Sequence, residues 1–209
     1  EIAAAHPGEK VVAVTHGIGF VLLRPATVPE TALKVGVLQS NFSLEMKWDP
    51  EYRYETVRNA AEKSSALAYA RPIDLMVLPE ALILDDIEAP AVKDTLTRMV
   101  RDGKFDLFSG AGRTILDKNY NSALLMDKTG TVTSWYDKIH LAPFGEYVPM
   151  AEALPFVTKL VPTIGDLAPG KDPVVMSVRD RKLGPLICFE VLFGPMAVPP
   201  TTTPPNSLR

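Results

Sequence analysis

Two short apolar runs, KVGVLQ at 34–39 and IDLMVL at 73–78, are each followed by a stretch with helical spacing. Apolar runs of this length, bounded by turn residues, read as buried strands. After the first, Asp49-Pro50 marks a helix start, since Asp caps a helix and Pro fits its first position. Tyr54, Val57, Ala61, Ser64 and Ala68 then recur at helical spacing. After the second, residues 91–102 read as a helix that Gly103 stops. Residues 106–110 read as a strand. Residues 121–126 and 132–136 flank Asp127-Lys-Thr-Gly130 as a hairpin, and residues 174–178 and 183–188 flank Arg179-Asp-Arg-Lys182 as a second one. Strand, helix, strand, helix and then hairpins predict an α/β layered sandwich rather than a helical bundle.

The chain has 209 residues, enough for one domain with a real core. Residues 1–33 read as a leader or linker. The stretch VVAVTHGIGFVLL at 11–23 is apolar, but it is short of the roughly 20 residues a spanning helix needs, and His16 interrupts it. The folded domain is expected over 34–197. Residues 198–209 are rich in Pro and Thr and lack periodicity, so they are expected to be disordered.

A formal net charge of -3 gives no electrostatic reason to expect a nucleic-acid partner. One cysteine, Cys188, excludes an internal disulfide framework and a thiolate zinc cluster. The three histidines lie far apart without ligand spacing, so no metal is expected. Gly110-Ala-Gly112 lacks the rest of a dinucleotide fingerprint, and no G-x-S-x-G elbow is present. No cofactor is expected.

Three residues stand at or just beyond the ends of apolar strands. Cys188 closes LGPLIC, Glu80 closes DLMVLPE, and Lys138 follows the run at 132–136. Taken singly, each has a plain structural reading. A free Cys is most often a small buried hydrophobe. Glu80 alone is a strand-end surface carboxylate, and Lys138 alone is a solvated cation paired with Asp137. Together they say more, because a sheet gathers strand ends onto one edge. A thiol reacts well when a base takes its proton. Glu80 suits that role, Lys138 suits stabilisation of a tetrahedral oxyanion, and Cys188 suits a covalent acyl carrier.

Leu78-Pro-Glu80, Tyr136-Asp-Lys-Ile-His140 and Ile187-Cys-Phe-Glu190 resemble, in order and context, the three signature regions of the nitrilase (carbon–nitrogen hydrolase) superfamily. The resemblance implies a four-layer α-β-β-α sandwich, a triad of Glu80, Lys138 and Cys188, and a thioester intermediate. Met46-Lys-Trp-Asp-Pro50, Tyr120-Asn-Ser-Ala-Leu-Leu125, the loop His140-Leu-Ala-Pro-Phe-Gly-Glu-Tyr-Val-Pro149 and Asp166-Leu-Ala-Pro-Gly170 are similar to the apolipoprotein N-acyltransferase branch. That likeness implies transfer of a fatty acyl chain from a phospholipid donor to the N-terminal amine of a diacylglyceryl-cysteine lipoprotein, at the extracytoplasmic face of a bacterial inner membrane. It also makes Glu146 and Glu190 supporting acids, and places Trp48, Phe144, Tyr147 and Phe189 on the substrate side. Phe189 stands where the family more often has Tyr.

The family carries a multi-helix membrane domain ahead of this region, and its core continues past the nucleophile. The resemblance here runs from about Lys34 to Met196. The expectation is therefore a sandwich incomplete at its C-terminus, with residues 183–188 as an interior strand that lacks neighbours, and inactive on its own. The alternatives are a soluble nitrilase-type amidase that passes the acyl group to water, and a vestigial non-enzymatic domain.

Overall fold

The computed structural model describes residues 32–39, 41, 49–147 and 167–193. From Leu33 onward they belong to one unit. Its centre is a five-stranded sheet in the order β1 (Val35–Val37), β2 (Leu75–Val77), β3 (Asp106–Ile115), β4 (Lys118–Met126) and β5 (Val132–Asp137). β1, β2 and β3 run parallel, and β3, β4 and β5 run antiparallel. A separate antiparallel pair joins β6 (Met176–Val178) to β7 (Arg181–Leu183).

Helices α1 (Arg53–Ala70) and α2 (Pro90–Gly103) cover one face of the large sheet. Strand residues alternate between faces, so each strand feeds two cores. Met76, Leu107, Leu124 and Met126 pack with Val57, Ala60, Leu96 and Val100 of the helices. Leu75, Ala123, Leu125 and Tyr136 point the other way, onto Met176, Val178 and Ile187. The described residues thus stack as helix, sheet and second sheet, three of the four layers of the expected sandwich.

Local chemistry explains most boundaries and corrects several. The Asp49 side chain accepts the Glu51 N–H at 3.0 Å, but the first turn, Pro50–Tyr52, is a 3-10 helix and α1 starts at Arg53. α1 buries Thr56, Val57, Ala60, Ala61 and Ser64, whereas Tyr54 is exposed. α2 ends as expected near Gly103, but Lys104 takes the left-handed conformation at φ 57°. Gly103 itself is required because a Cβ there would run into the Phe105 ring.

Two hairpins depart further from expectation. β3 runs on to Ile115 and returns as β4 through Leu116-Asp117, both left-handed at φ 49° and 62°. That two-residue geometry ordinarily selects Asn and Gly, so nothing in the sequence announces it. The later hairpin turns at Arg179-Asp180, and β7 stops at Leu183. Residues 184–187 leave the ladder and Cys188 opens a 3-10 helix, Cys188–Leu192. The expected strand at 183–188 is therefore not formed.

Candidate active site

Glu80 is positioned by a detour in the chain after β2. Leu78 N–H still donates to the Phe108 carbonyl at 2.9 Å, and Gly110 N–H donates to the Pro79 carbonyl at 3.2 Å. Glu80 and Ala81 then lift away, Ala81 at φ 50°, before Ile83 rejoins β3 by donating to the Gly110 carbonyl at 3.2 Å. The lift passes directly over Gly110. A Cβ there would stand 2.5 Å from Glu80 Cα and 2.5 Å from the Ala81 nitrogen. Gly110 is thus the residue that lets the acid sit against the sheet.

Lys138 arrives from the end of β5. Its backbone N–H donates to the Asn121 carbonyl at 2.8 Å, and its own carbonyl accepts from Gly170 N–H at 2.8 Å. Gly170 has no room for a side chain against the Asp137 backbone. Asp137 does not pair with Lys138. It faces the opposite side of β5, accepting from Ser122 Oγ at 2.6 Å and Arg113 at 3.2 Å. The simple surface-pair reading of Lys138 therefore fails, and the side chain is only 2% exposed.

A buried ammonium needs carboxylates. Lys138 Nζ lies 2.8 Å from Glu146 Oε2 and 3.8 Å from Glu80 Oε1. Asn121 Nδ2 donates to both acids, at 2.8 Å to Glu80 Oε1 and 2.7 Å to Glu146 Oε1. Glu146 Oε2 also accepts the Ala142 N–H at 2.8 Å. Burial alone pulls the Glu146 carboxyl up. The hydrogen bonds from Lys138, Ala142 and Asn121, with the Lys138 charge, outweigh it and hold the group below the usual carboxylate range.

The Cys188 segment is held differently. Glu190, fully buried, accepts from Tyr136 OH at 2.9 Å, from Ile139 N–H at 2.8 Å, from His140 N–H at 3.0 Å and from Ile187 N–H at 2.8 Å. One carboxylate therefore ties the Lys138 loop to the residue before Cys188. Burial, and then the Glu190 carboxylate, push the Tyr136 phenol well above its ordinary range. Cys188 is exposed and left-handed at φ 57°. The next residue, Phe189, brings its ring within 5.4 Å of Lys138 Nζ, and Phe193 meets both Phe189 and the His140 ring.

Of the residues singled out from sequence, the structure brings Glu80, Lys138 and Glu146 into direct contact, and joins the Cys188 segment to them through Glu190 and Phe189. Trp48 lies outside the described residues. Phe144 is exposed at φ 63°, its N–H donating to the Tyr147 carbonyl at 2.8 Å, so this pair closes the tight turn that presents Glu146. Asn121 and Gly110 carry positions in the site that sequence reading missed. Both are polar or small interruptions inside otherwise ordinary strands.

A cavity of about 680 Å³ opens beside the acids, lined by Glu80, Asn121 and Glu146 and by Arg53, Arg113 and Trp135 farther out. Among the described residues no group of acids, His and Cys is arranged to hold a metal ion. A buried cation fixed beside two carboxylates, with an exposed thiol one residue before the ring that lies over that cation, suits covalent acyl chemistry that proceeds through an oxyanion.

The chain is 38% identical to an apolipoprotein N-acyltransferase of Geobacter metallireducens over 187 residues, covering 86% of this chain and 35% of that protein. It is 28% identical to the one of Caulobacter vibrioides, covering 88% of this chain and 37% of that protein. The chain thus spans about a third of the length of these relatives. Among solved structures, Nit3 of Saccharomyces cerevisiae, a member of branch 10 of the nitrilase superfamily, matches with a TM-score of 0.58 at 19% identity, over 78% of this chain and 58% of that one. The NitN amidase from Nesterenkonia sp. AN1 matches with a TM-score of 0.54 at 21% identity, over 79% and 60%. These two likenesses concern the fold. The family model for carbon-nitrogen hydrolases matches residues 34–199, and the chain belongs to that family.

Proposed function

We propose that this domain carries out the acyl-transfer chemistry of an apolipoprotein N-acyltransferase, with Cys188 as nucleophile, Glu80 as base and Lys138 as oxyanion partner. The observation that carries the reading is the burial of Lys138 against Glu146 and Glu80, beside the ring that follows Cys188. The likeness to the Geobacter metallireducens relative selects the acyltransferase branch, because the amidase likeness is one of fold alone.

In the first half-reaction Glu80 takes the Cys188 thiol proton, and the thiolate attacks an ester carbonyl of a phospholipid. Negative charge collects on the carbonyl oxygen beside Lys138, where a fixed donor in a dry site is most effective. Collapse releases a lysophospholipid alkoxide, which takes the proton back from Glu80 and leaves a Cys188 thioester. In the second half-reaction the N-terminal amine of a diacylglyceryl-cysteine peptide attacks that thioester. Glu80 accepts the amine proton, the amide forms, and the Cys188 thiolate departs and is reprotonated. Glu146 neutralises Lys138 without engaging the substrate. Trp48, Phe144, Tyr147 and Phe189 are assigned to the substrate side. The work is done at the extracytoplasmic face of a bacterial inner membrane. Among the described residues no helix is long and apolar enough to cross a membrane.

The test is mass spectrometry of an intact acyltransferase that contains this domain, after incubation with phospholipid vesicles. A hydroxylamine-labile acyl group should appear on Cys188 and be absent from Cys188→Ala. Glu80→Gln and Lys138→Met should each slow its formation on the order of 10²-fold or more. An adduct that survives Cys188→Ala, or one indifferent to both other substitutions, refutes the assignment.

A further inference from the structure

Asn121 is hydrogen-bonded to every residue of the cluster, through its side chain to the two acids and through its backbone to Lys138. Its Nδ2 donates to Glu80 Oε1 at 2.8 Å and to Glu146 Oε1 at 2.7 Å, and its backbone carbonyl accepts the Lys138 N–H at 2.8 Å. An amide nitrogen carries two hydrogens, and here both point at carboxylates. We infer that Asn121 is a positioning residue: it holds the Glu80 and Glu146 carboxylates at fixed places around the Lys138 ammonium, so that Glu80 is oriented to take the Cys188 proton. The inference rests on the proposed roles of Glu80, Lys138 and Cys188.

Three features favour positioning over mere satisfaction of a buried acid. Glu146 already has Lys138 and the Ala142 N–H, so burial alone does not require a further donor. Glu80 is 40% exposed and water would solvate it, yet it too is tethered. The tether comes from β4, where Asn121 lies opposite Gly112 of β3 and accepts the Lys138 N–H on its other side, so the amide stands on a strand held from both sides.

The residue type follows from the charges. Two carboxylates and one ammonium leave the cluster with an excess negative charge, and the acids repel each other. A Lys or Arg at 121 would compete with Lys138 for Glu146. An Asp would add a third like charge, and a Ser offers only one hydrogen. Asn is neutral and gives two donors on a short side chain.

The experiment follows alkylation of Cys188 by iodoacetamide in the 209-residue chain, which needs no lipid, with a circular-dichroism melt for each variant. Asn121→Ala and Asn121→Asp should slow alkylation at neutral pH roughly 10- to 100-fold, since misplacing a reacting group by about 1 Å costs on that order. Asn121→Asp keeps the shape and places three carboxylates, at 80, 121 and 146, around Lys138. They cannot all stay charged, so the acid limb of its rate profile should move to higher pH, which loss of a space-filling group would not do. Arg53, Asp85, Asp86 and Arg113, which line the same cavity farther out, and Asp137, paired with Arg113, are the same in every variant, so they do not account for a difference between them. Should Asn121→Ala fail to fold, the isosteric Asp variant decides. Variants that alkylate at the wild-type rate with the wild-type profile overturn the inference. If wild type and Glu80→Gln alkylate alike, the proposed triad fails with it. If Glu80 matters and Asn121 does not, only the positioning role is lost.

Discussion

Glu80, Asn121 and Lys138 stand at one end of a sheet where every neighbouring strand is paired. Lys138 is bonded to Asn121 across β5 and β4, Asn121 lies opposite Gly112 of β3, and the chain leading to Glu80 is bonded to Gly110. Cys188 has no such frame. It follows residues 184–187, which belong to no strand, and it opens a 3-10 helix whose outer side chains, Val191 and Leu192, are exposed. Glu190 supplies the hydrogen bonds that hold this segment against the sheet, with Ile187 packed in the second core and Phe193 stacked on His140. The acid and the cation are therefore set by backbone ladders, in which many bonds share the work. The polar hold on the thiol's segment runs through one carboxylate, whose loss leaves several donors without partners at once.

Glu190→Gln is the most direct way to break that contrast. The substitution keeps the shape but turns an NH2 toward a pocket of three backbone N–H donors, from Ile139, His140 and Ile187, in which only the Tyr136 hydroxyl could accept from it, by giving up its own bond to residue 190. A buried donor left unpaired costs about 1–3 kcal/mol. A loss of roughly 3–5 kcal/mol is expected, with faster amide exchange at 187, 139 and 140. Denaturant titration measures it. A loss under about 1 kcal/mol would mean that the 184–192 segment is held by packing instead, and the contrast between the two regions would collapse.

The pH dependence of stability sharpens the same comparison, because each region holds one shifted group. The folded-state value of Glu146 lies below the ordinary 4.5. Its contribution is therefore present above about pH 4.5 and lost as pH falls through the folded value. Tyr136 is raised above its ordinary 10.0. Its contribution is intact below about pH 10 and lost as pH rises beyond that, when the unfolded phenol ionises and the folded one does not. Acid should loosen the Lys138 end first and alkali the Glu190 end. Melting curves across pH should show a shallower acid limb in Glu146→Gln and a shallower alkaline limb in Tyr136→Phe. Limbs unchanged by both substitutions would detach these shifts from the two regions.

The contrast also decides what the sequence could reveal. The apolar runs at 34–39 and 73–78 became β1 and β2, and the hairpin around Asp127-Lys-Thr-Gly130 formed with Asp127 accepting the Thr129 and Thr131 N–H groups, because each of those signals is local. Glu80 and Lys138 were legible for the same reason, as charges at or just past the ends of apolar strands. The 183–188 run looked like a strand and is not one, since its Ile187 N–H goes to the Glu190 side chain and its outward residues find no ladder. Asn121 stayed hidden because its two partners lie 41 and 25 residues away. The turn at Leu116-Asp117 carries no Asn-Gly signal, and the long β3–β4 ladder imposes it instead.

The smallest expected effect lies at the candidate nucleophile itself. Cys188 is left-handed at φ 57°, a conformation in which any Cβ crowds the backbone at about 1–2 kcal/mol. A residue held so is strained, and such strain concentrates where a side chain must be presented rather than packed. Its removal is best measured with two variants that both lack the thiol. Cys188→Ala keeps the Cβ and its crowding. Cys188→Gly removes it, but adds about 0.5–1 kcal/mol of chain entropy to the unfolded state. The balance favours Gly by about 0.5–1 kcal/mol, a reversal of the usual preference for Ala. Both variants should be inert to iodoacetamide at this position, so a difference in denaturation midpoint between them reports the backbone alone. Should the Ala variant prove the more stable, Cys188 carries no strain, and the irregular segment accommodates its side chain as freely as the sheet does its own.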